Sequence, residues 1–445
     1  MRKRIKILGL MLLLSVLLSG CFFRSVDELY CLPQQSEEYN DLQTAINLAL
    51  SQNNANYSGP ISGSNQQAVQ LVDLDGDGTD EAIAFLKAAG DNPLKIAIFK
   101  RTGENYENVA TIENAGSAFS SVEYLQLDDK PGMEILVGRQ VGDQVLQSLG
   151  AYTLQENHIV ELMSTNYSEY TTADLDNNGL SEVVVLRFDS EEHTGVVERF
   201  CYRDGQLERD PEVLMSTSIG SIKRIITGKL QENVPAVFVA SLYEESSVLT
   251  DIFALRNGCL ANITALAETG TAAETVRNYF VYATDIDGDG LMELPRPELL
   301  SSYGTEGENY WTITWYNMTL NGETVDKMTT YHNYSSGWYV VLPDAWKGHL
   351  IVTRGNEASG VLGYVFSHWE NNEEAPEELF TIYEFSGIDR NTLAEADGRF
   401  SLGERGDITY AAHLAETGWA ASVTKTDLAD WFRFIYVDWN TGEVQ

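Results

Sequence analysis

The chain predicts an all-β fold, a β-propeller of four-stranded blades, seven in number with six as the alternative count. Three observations predict it. An acidic nine-residue loop recurs, as Asp73-Leu-Asp75-Gly-Asp77-Gly-Thr79-Asp-Glu81, Asp174-Leu-Asp176-Asn-Asn178-Gly-Leu180-Ser-Glu182 and Asp285-Ile-Asp287-Gly-Asp289-Gly-Leu291-Met-Glu293. The first two loops lead into short β-branched or apolar runs suited to strands, Ala82-Ile-Ala-Phe-Leu86 and Val183-Val-Val-Leu-Arg-Phe188. Weaker relatives of the loop, Gln126 to Glu134 and Thr227 to Pro235, complete a series starting at 73, 126, 174, 227 and 285. A period of about 50 residues is that of a structural repeat.

Taken in order, the chain opens with Met1-Arg-Lys-Arg-Ile-Lys6, continues with an apolar run from Ile7 to Leu18, and reaches Leu18-Ser19-Gly20-Cys21. A positive start, a short apolar segment and small residues before a cleavage point predict an export signal over 1–20, too short for a transmembrane helix. The four-residue box resembles the bacterial lipobox, which implies acylation of Cys21 and a mature protein anchored to the membrane at its extracytoplasmic face. Residues 21–35 then read as a tether. The segment 36–55 has a polar start and apolar residues at helical spacing, predicting a short helix and linker.

Residues 56–445 are assigned to the propeller. Twenty-eight residues after position three of the first four loops stand Gly103, Glu156, Asp204 and Asn257, each in a turn-like stretch. Asp-Gly and Asn-Gly between alternating apolar runs are strong hairpin signals, so each repeat reads as strand, loop, strand, strand, hairpin, strand. A sixth unit without loop acids surrounds Val341 to Val352, with a hairpin tip at 371–376. The tail, with strands near Arg399 to Leu402, Ile408 to Ala412 and Arg433 to Val437 and a helix near Leu428 to Phe432, predicts an irregular seventh unit. Closing such units into a ring protects their strand edges. An open array of small β modules is the competing architecture.

In each acid loop, carboxylates or an amide at positions 1, 3 and 5, a backbone carbonyl at 7 (Thr79, Leu180, Leu291) and a glutamate at 9 supply hard oxygens, with a glycine turn at 6. That is the ligand chemistry of calcium. An EF-hand needs glutamate at position 12, where Ala84, Val185 and Arg296 stand.

These loops resemble the FG-GAP and VCBS-type calcium-loop repeats of integrin α-subunit propellers and bacterial surface proteins. The resemblance implies calcium within the blade at Asp73, Asp75, Asp77 and Glu81, at Asp174, Asp176, Asn178 and Glu182, and at Asp285, Asp287, Asp289 and Glu293. The sequence departs from the family in lacking a Phe-Gly…Gly-Ala-Pro signature and in carrying Lys130 and Lys229 where acids would sit.

With 29 Lys+Arg against 66 Asp+Glu the formal net charge is −37, which argues against a nucleic-acid partner. Besides Cys21 there are Cys31, Cys201 and Cys259; export permits a bridge between Cys201 and Cys259 near neighbouring hairpins, and the sequence leaves it open. The six histidines form no zinc pattern, and nucleophile elbow, phosphate loop and dinucleotide fingerprint are all missing. The expected function is therefore an exported, lipid-anchored, calcium-stiffened module that binds an extracellular protein or glycan. The alternative is a polysaccharide-acting lyase or hydrolase on the same scaffold.

Overall fold

Strict alternation along the strands decides how the sheets stack. In Glu182–Asp189, Val183 and Val185 belong to one apolar cluster and Val184 and Leu186 to another, all fully buried. A strand buried on both faces must lie between two other layers. The protein is described by a computed structural model covering residues 37–435, apart from 104, 143–146, 302–308, 359, 371–374, 419 and 421–422. The signal 1–20, Cys21, the tether and Cys31 lie outside the described residues, as does most of the 371–376 hairpin tip.

The described residues form six sheets, every pairing antiparallel. The first runs Val69–Val72, Glu81–Lys87, Leu94–Thr102, Asn105–Asn114, with Asn56–Tyr57 added at its edge. The second runs Ala118–Leu125, Glu134–Gln140, Gln147–Gln155, His158–Tyr167. The third runs Glu169–Ala173, Glu182–Asp189, Thr194–Arg203, Gln206–Arg209, and the fourth Ile219–Lys229, Pro235–Tyr243, Ser247–Arg256, Cys259–Asn262. The expected hairpins fall where the spacing put them: Glu156 and Asn157, Asp204 and Gly205, and Asn257 and Gly258 all carry positive φ at two-residue turns.

The fifth sheet contains Leu294–Leu299, Trp311–Met318, Thr324–Asn333 and Trp338–Leu342; the sixth contains Leu350–Ala358, Val361–His368 and Glu377–Ser386. Among the described residues the tail builds no seventh sheet. Phe400–Arg405 and Ile408–Leu414 extend the sixth, while Phe432–Phe434 pairs with Trp338–Leu342 of the fifth. Exposed sheet edges attract strands, and the tail satisfies two of them. The expected tail helix spans Lys425–Trp431 and starts on a capping box of Thr424 and Asp427.

Apolar clusters join each sheet to the next. Ile83 and Phe85 meet Phe119 and Val137; Leu136 meets Val183; Val184 meets Val237; Phe238 meets Leu294 and Tyr316; Tyr331 and Trp338 meet Phe366 and Phe380. Truncating one such ring, Phe366 for example, would cost about 3–5 kcal/mol.

The two outermost faces are covered differently. A helix α1, Glu37–Asn53, lays Ile46 and Ala49 on Ala82, Ala84, Leu86, Ala97 and Phe99 of the first sheet, where the alanines leave room for it. On the sixth sheet a short helix α2, Arg390–Glu395, buries Ala394 with Val361, Tyr383, Phe385 and Ala411. A closed ring would bring these faces together. Among the described residues, no apolar cluster joins the first sheet to the sixth. No described helix is long and apolar enough to cross a membrane.

Candidate metal centres

The acid loops connect the first two strands of a unit. Val72 pairs with Glu81, Leu125 with Glu134 and Ala173 with Glu182, so in these loops the ninth residue opens the second strand, while Thr284 and Glu293 form an isolated bridge just before Leu294–Leu299. The ninth-position glutamate is buried, and one oxygen accepts the N–H of the residue at position two: Leu74 at 2.9 Å, Leu127 at 2.7 Å, Leu175 at 2.6 Å and Ile286 at 3.0 Å. This bond closes the loop and leaves the other carboxylate oxygen for a further partner.

Position one shapes the turn. Asp73 accepts from Gly76 and Gly78, Asp174 from Asn178 and Gly179, and Asp285 from Gly288, Asp289 and Gly290. Position five accepts the N–H of position seven, joining Asp77 to Thr79, Asn178 to Leu180 and Asp289 to Leu291. Positions four and six take positive φ in every acid loop, which suits glycine and asparagine. Three clusters result, each with carboxylate oxygens within 4.8 Å of one another: Asp73, Asp75 and Glu81; Asp174, Asp176 and Glu182; Asp285, Asp287 and Asp289.

Calcium fits this donor set, which consists of hard oxygens alone. In the first loop Asp75 Oδ1 and Glu81 Oε1 are buried without a hydrogen-bond partner, an arrangement that a cation would satisfy. Burial pushes the Glu81, Glu134 and Glu293 carboxyls up; the backbone N–H each accepts pulls the other way. Glu182 is pushed up to about 7 by burial, with the Leu175 N–H opposing and Asp176 reinforcing the shift.

The sequence pattern alone missed the basic and polar side chains that reach these carboxylates from other strands. Lys100 bonds to Asp75 and, at 2.8 Å, to Asp77, and lies 3.5 Å from Glu81. Burial works against its charge, but those carboxylates hold its pKa above the ordinary lysine value. In the third sheet Arg199 Nη1 donates to Glu182 at 3.3 Å and lies 4.0 Å from Asp176. In the fifth, Asn317 donates to Glu293 at 2.5 Å while Lys327 lies 3.0 Å from Asp287 and 2.5 Å from Asp289. Lys100, Arg199 and Asn317 all stand on the strand paired beyond the glutamate's own, where cross-strand neighbours share a face. Matching that register in the sequence could have found Lys100 and Asn317, which fall opposite their glutamates, but not Arg199, which pairs with Val184.

The two weaker loops are built otherwise. Gln126 donates its amide to the carbonyls of Asp128 and Lys130, and Thr153 donates to Glu134. The fourth loop is shorter than its alignment implied, because Lys229 pairs directly with Pro235. Thr227 and Gly228 are therefore strand residues.

Neighbouring loops touch. A Cβ on Gly132 would lie 2.2 Å from the Leu74 carbonyl, so only glycine permits the second loop to approach the first. Ser181 N–H donates to the Gln126 carbonyl, and Met292 N–H to that of Lys229. Cys201, buried, and Cys259, exposed, are both free thiols.

No protein-family model matches the chain, and no curated protein shows significant similarity to it. Solved structures with some likeness include a rhamnogalacturonan lyase from Bacillus licheniformis (13% identity, TM-score 0.30, 68% of this chain and 59% of that one). A protein from Lactobacillus plantarum gives 9% identity and a TM-score of 0.23 over 73% of this chain and 86% of that one. An α-L-arabinofuranosidase from Fusarium graminearum gives 8% and 0.26 over 78% and 93%. This chain spans 59% of the lyase's length. Likenesses this weak decide nothing about its activity.

Proposed function

We propose that this protein is an exported, lipid-anchored β-repeat module, of the propeller type with FG-GAP-like loops, whose acid loops bind calcium and so stiffen the stack of sheets for binding an extracellular ligand. The observation that carries the metal reading is the first loop, where Asp75 Oδ1 is buried without a hydrogen-bond partner and Glu81 Oε1, also without one, has the Lys100 ammonium at 3.5 Å, beside a third acid. The contacts between loops give the ion a mechanical role, since ordering one loop restrains its neighbour. Calcium supplies charge neutralisation and fixed geometry; the chain's own residues supply the oxygens and the turn.

A ligand surface is supported by a cavity of about 340 Å³ between the connecting segment 274–278 and the fifth sheet, lined by Arg277, Asn278, Arg296 and Trp311 among others. Trp311 is stacked on Tyr279 with ring centroids 5.1 Å apart. An aromatic face with polar and basic neighbours suits a glycan or peptide. Hydrolysis of a glycosidic bond takes two flanking carboxylates; among the described residues this lining supplies one, Glu274. At this cavity binding is therefore favoured over hydrolysis of a glycosidic bond.

A thermal melt in calcium and in chelator tests the metal role. The midpoint should fall on chelation, and an unchanged midpoint rejects it. For the anchor, Cys21→Ser should move the protein from membrane to soluble fractions of the producing cell; retention on the membrane would rule out acylation.

A further inference from the structure

The three acid loops differ in the basic side chain that reaches their acids from a neighbouring strand. In the third sheet it is Arg199, only 3% exposed. Its guanidinium is held from several sides: Nε donates to Asp210 at 2.7 Å, Nη1 to Glu182 at 3.3 Å, and Nη2 to the Gly258 carbonyl at 3.5 Å. Asp210 is itself gripped by Arg203 at 2.9 Å. Glu182 and Asp210 are buried as well, so withdrawing Arg199 would leave carboxylates unpaired in a dry environment, which proteins avoid.

The other two loops meet lysines that can leave. Lys100 and Lys327 have side chains 22% and 33% exposed, on flexible stems ending in a strongly hydrated ammonium. The acid count differs independently. Position five is Asp77 in the first loop and Asp289 in the fifth, but Asn178 in the third. Fewer carboxylates mean weaker attraction for a divalent ion, and a fixed guanidinium beside Glu182 repels one.

We infer that the third loop takes its cation from the chain itself: Arg199 stands in for the metal, and the protein binds two calcium ions, at Asp73–Glu81 and Asp285–Glu293, where the motif count implies three. This rests on the calcium reading above and makes Arg199 the residue that distinguishes a metal loop from a self-neutralised one. The third sheet then keeps its loop geometry when calcium is withdrawn, while the first and fifth lose their cation.

The test is a count of bound calcium by equilibrium dialysis or calorimetry on the full-length protein. The wild type should bind two ions. Asp176→Asn should leave the count at two, Asp287→Asn should lower it to one, and Arg199→Asn, which removes the charge, should raise it to three with the new site in the range of about 0.1–1 mM. Three ions in the wild type, loss of one in Asp176→Asn, or a folded Arg199→Asn protein that still binds two overturns the inference while leaving the calcium reading intact. No bound ion in the wild type overturns both. Should Arg199→Asn fail to fold, the wild-type and Asp176→Asn counts decide.

Discussion

The loops at 174–182 and 285–293 share the frame Asp-x-Asp-x-x-Gly-Leu-x-Glu, yet they balance their charge by different means. In the former a buried arginine, clamped between Glu182 and Asp210, reaches the acids from inside. In the latter a neutral amide, Asn317, meets Glu293, and a partly exposed lysine rests on the outer aspartates. A loop motif defines a cradle of oxygens; the strand beyond it determines whether the cradle needs an ion from solution.

The largest effect that would sharpen this contrast comes from Arg199→Met. Removing one partner of a buried ionic cluster typically costs about 3–5 kcal/mol, and the loss of stability in urea should be smaller in calcium than in chelator, because the third loop then takes an ion from solution. A loss equal in the two media would break the contrast. Next comes the fifth loop itself. At ~1 mM calcium and ~0.1 mM affinity one site contributes about 1.4 kcal/mol. Asp285→Ala should therefore remove roughly that much of the calcium-dependent rise in stability, whereas Asp174→Ala should leave the calcium-dependent part intact. Equal losses from both would erase the distinction.

The smallest effect concerns the second loop, where Glu134 stays buried with neither an acid at position one nor a basic side chain donating to it. Burial raises its pKa in the folded chain above the unfolded value near 4.5. Its contribution is therefore fully present below pH 4.5 and is lost as pH rises through the folded value. Glu134→Gln keeps an acceptor for the Leu127 N–H and removes the buried charge, so stability above neutral pH should rise, with a flatter dependence on pH. A variant as pH-sensitive as the wild type would show that Glu134 is not the group responsible.

The ends of the stack offer a second comparison with the middle. Val183 to Leu186 are buried on both faces because a sheet lies on each side. The first sheet faces a neighbour through Ile83 and Phe85 but a helix through Ala82 and Ala84. Alanine in place of valine was a visible sign that something closer than a sheet packs there. The sequence signalled the helix, but its partner face could not be read from a segment with so modest an apolar stripe.

Local chemistry was legible because its causes are local: hairpins at Asp204-Gly205 and Asn257-Gly258 follow from residues tolerant of positive φ, and the acid loops from side chains bonding to backbone a few positions away. The tail was misassigned to a seventh unit because strand character does not say which edge a strand will join. The nature of the fourth loop was likewise hidden, since Lys229 pairing with Pro235 depends on register across two strands.

The amino-acid order by itself thus determined the repeat, the turns and the presence of oxygen-rich loops, all products of interactions spanning a few residues. Only the tertiary structure decided that Lys100, Arg199 and Lys327 lie against those oxygens, and that helices cover the two outer faces. Those contacts join residues far apart in the chain, and the electrostatics of a buried carboxylate depend on whichever charge the fold brings within a few ångströms of it.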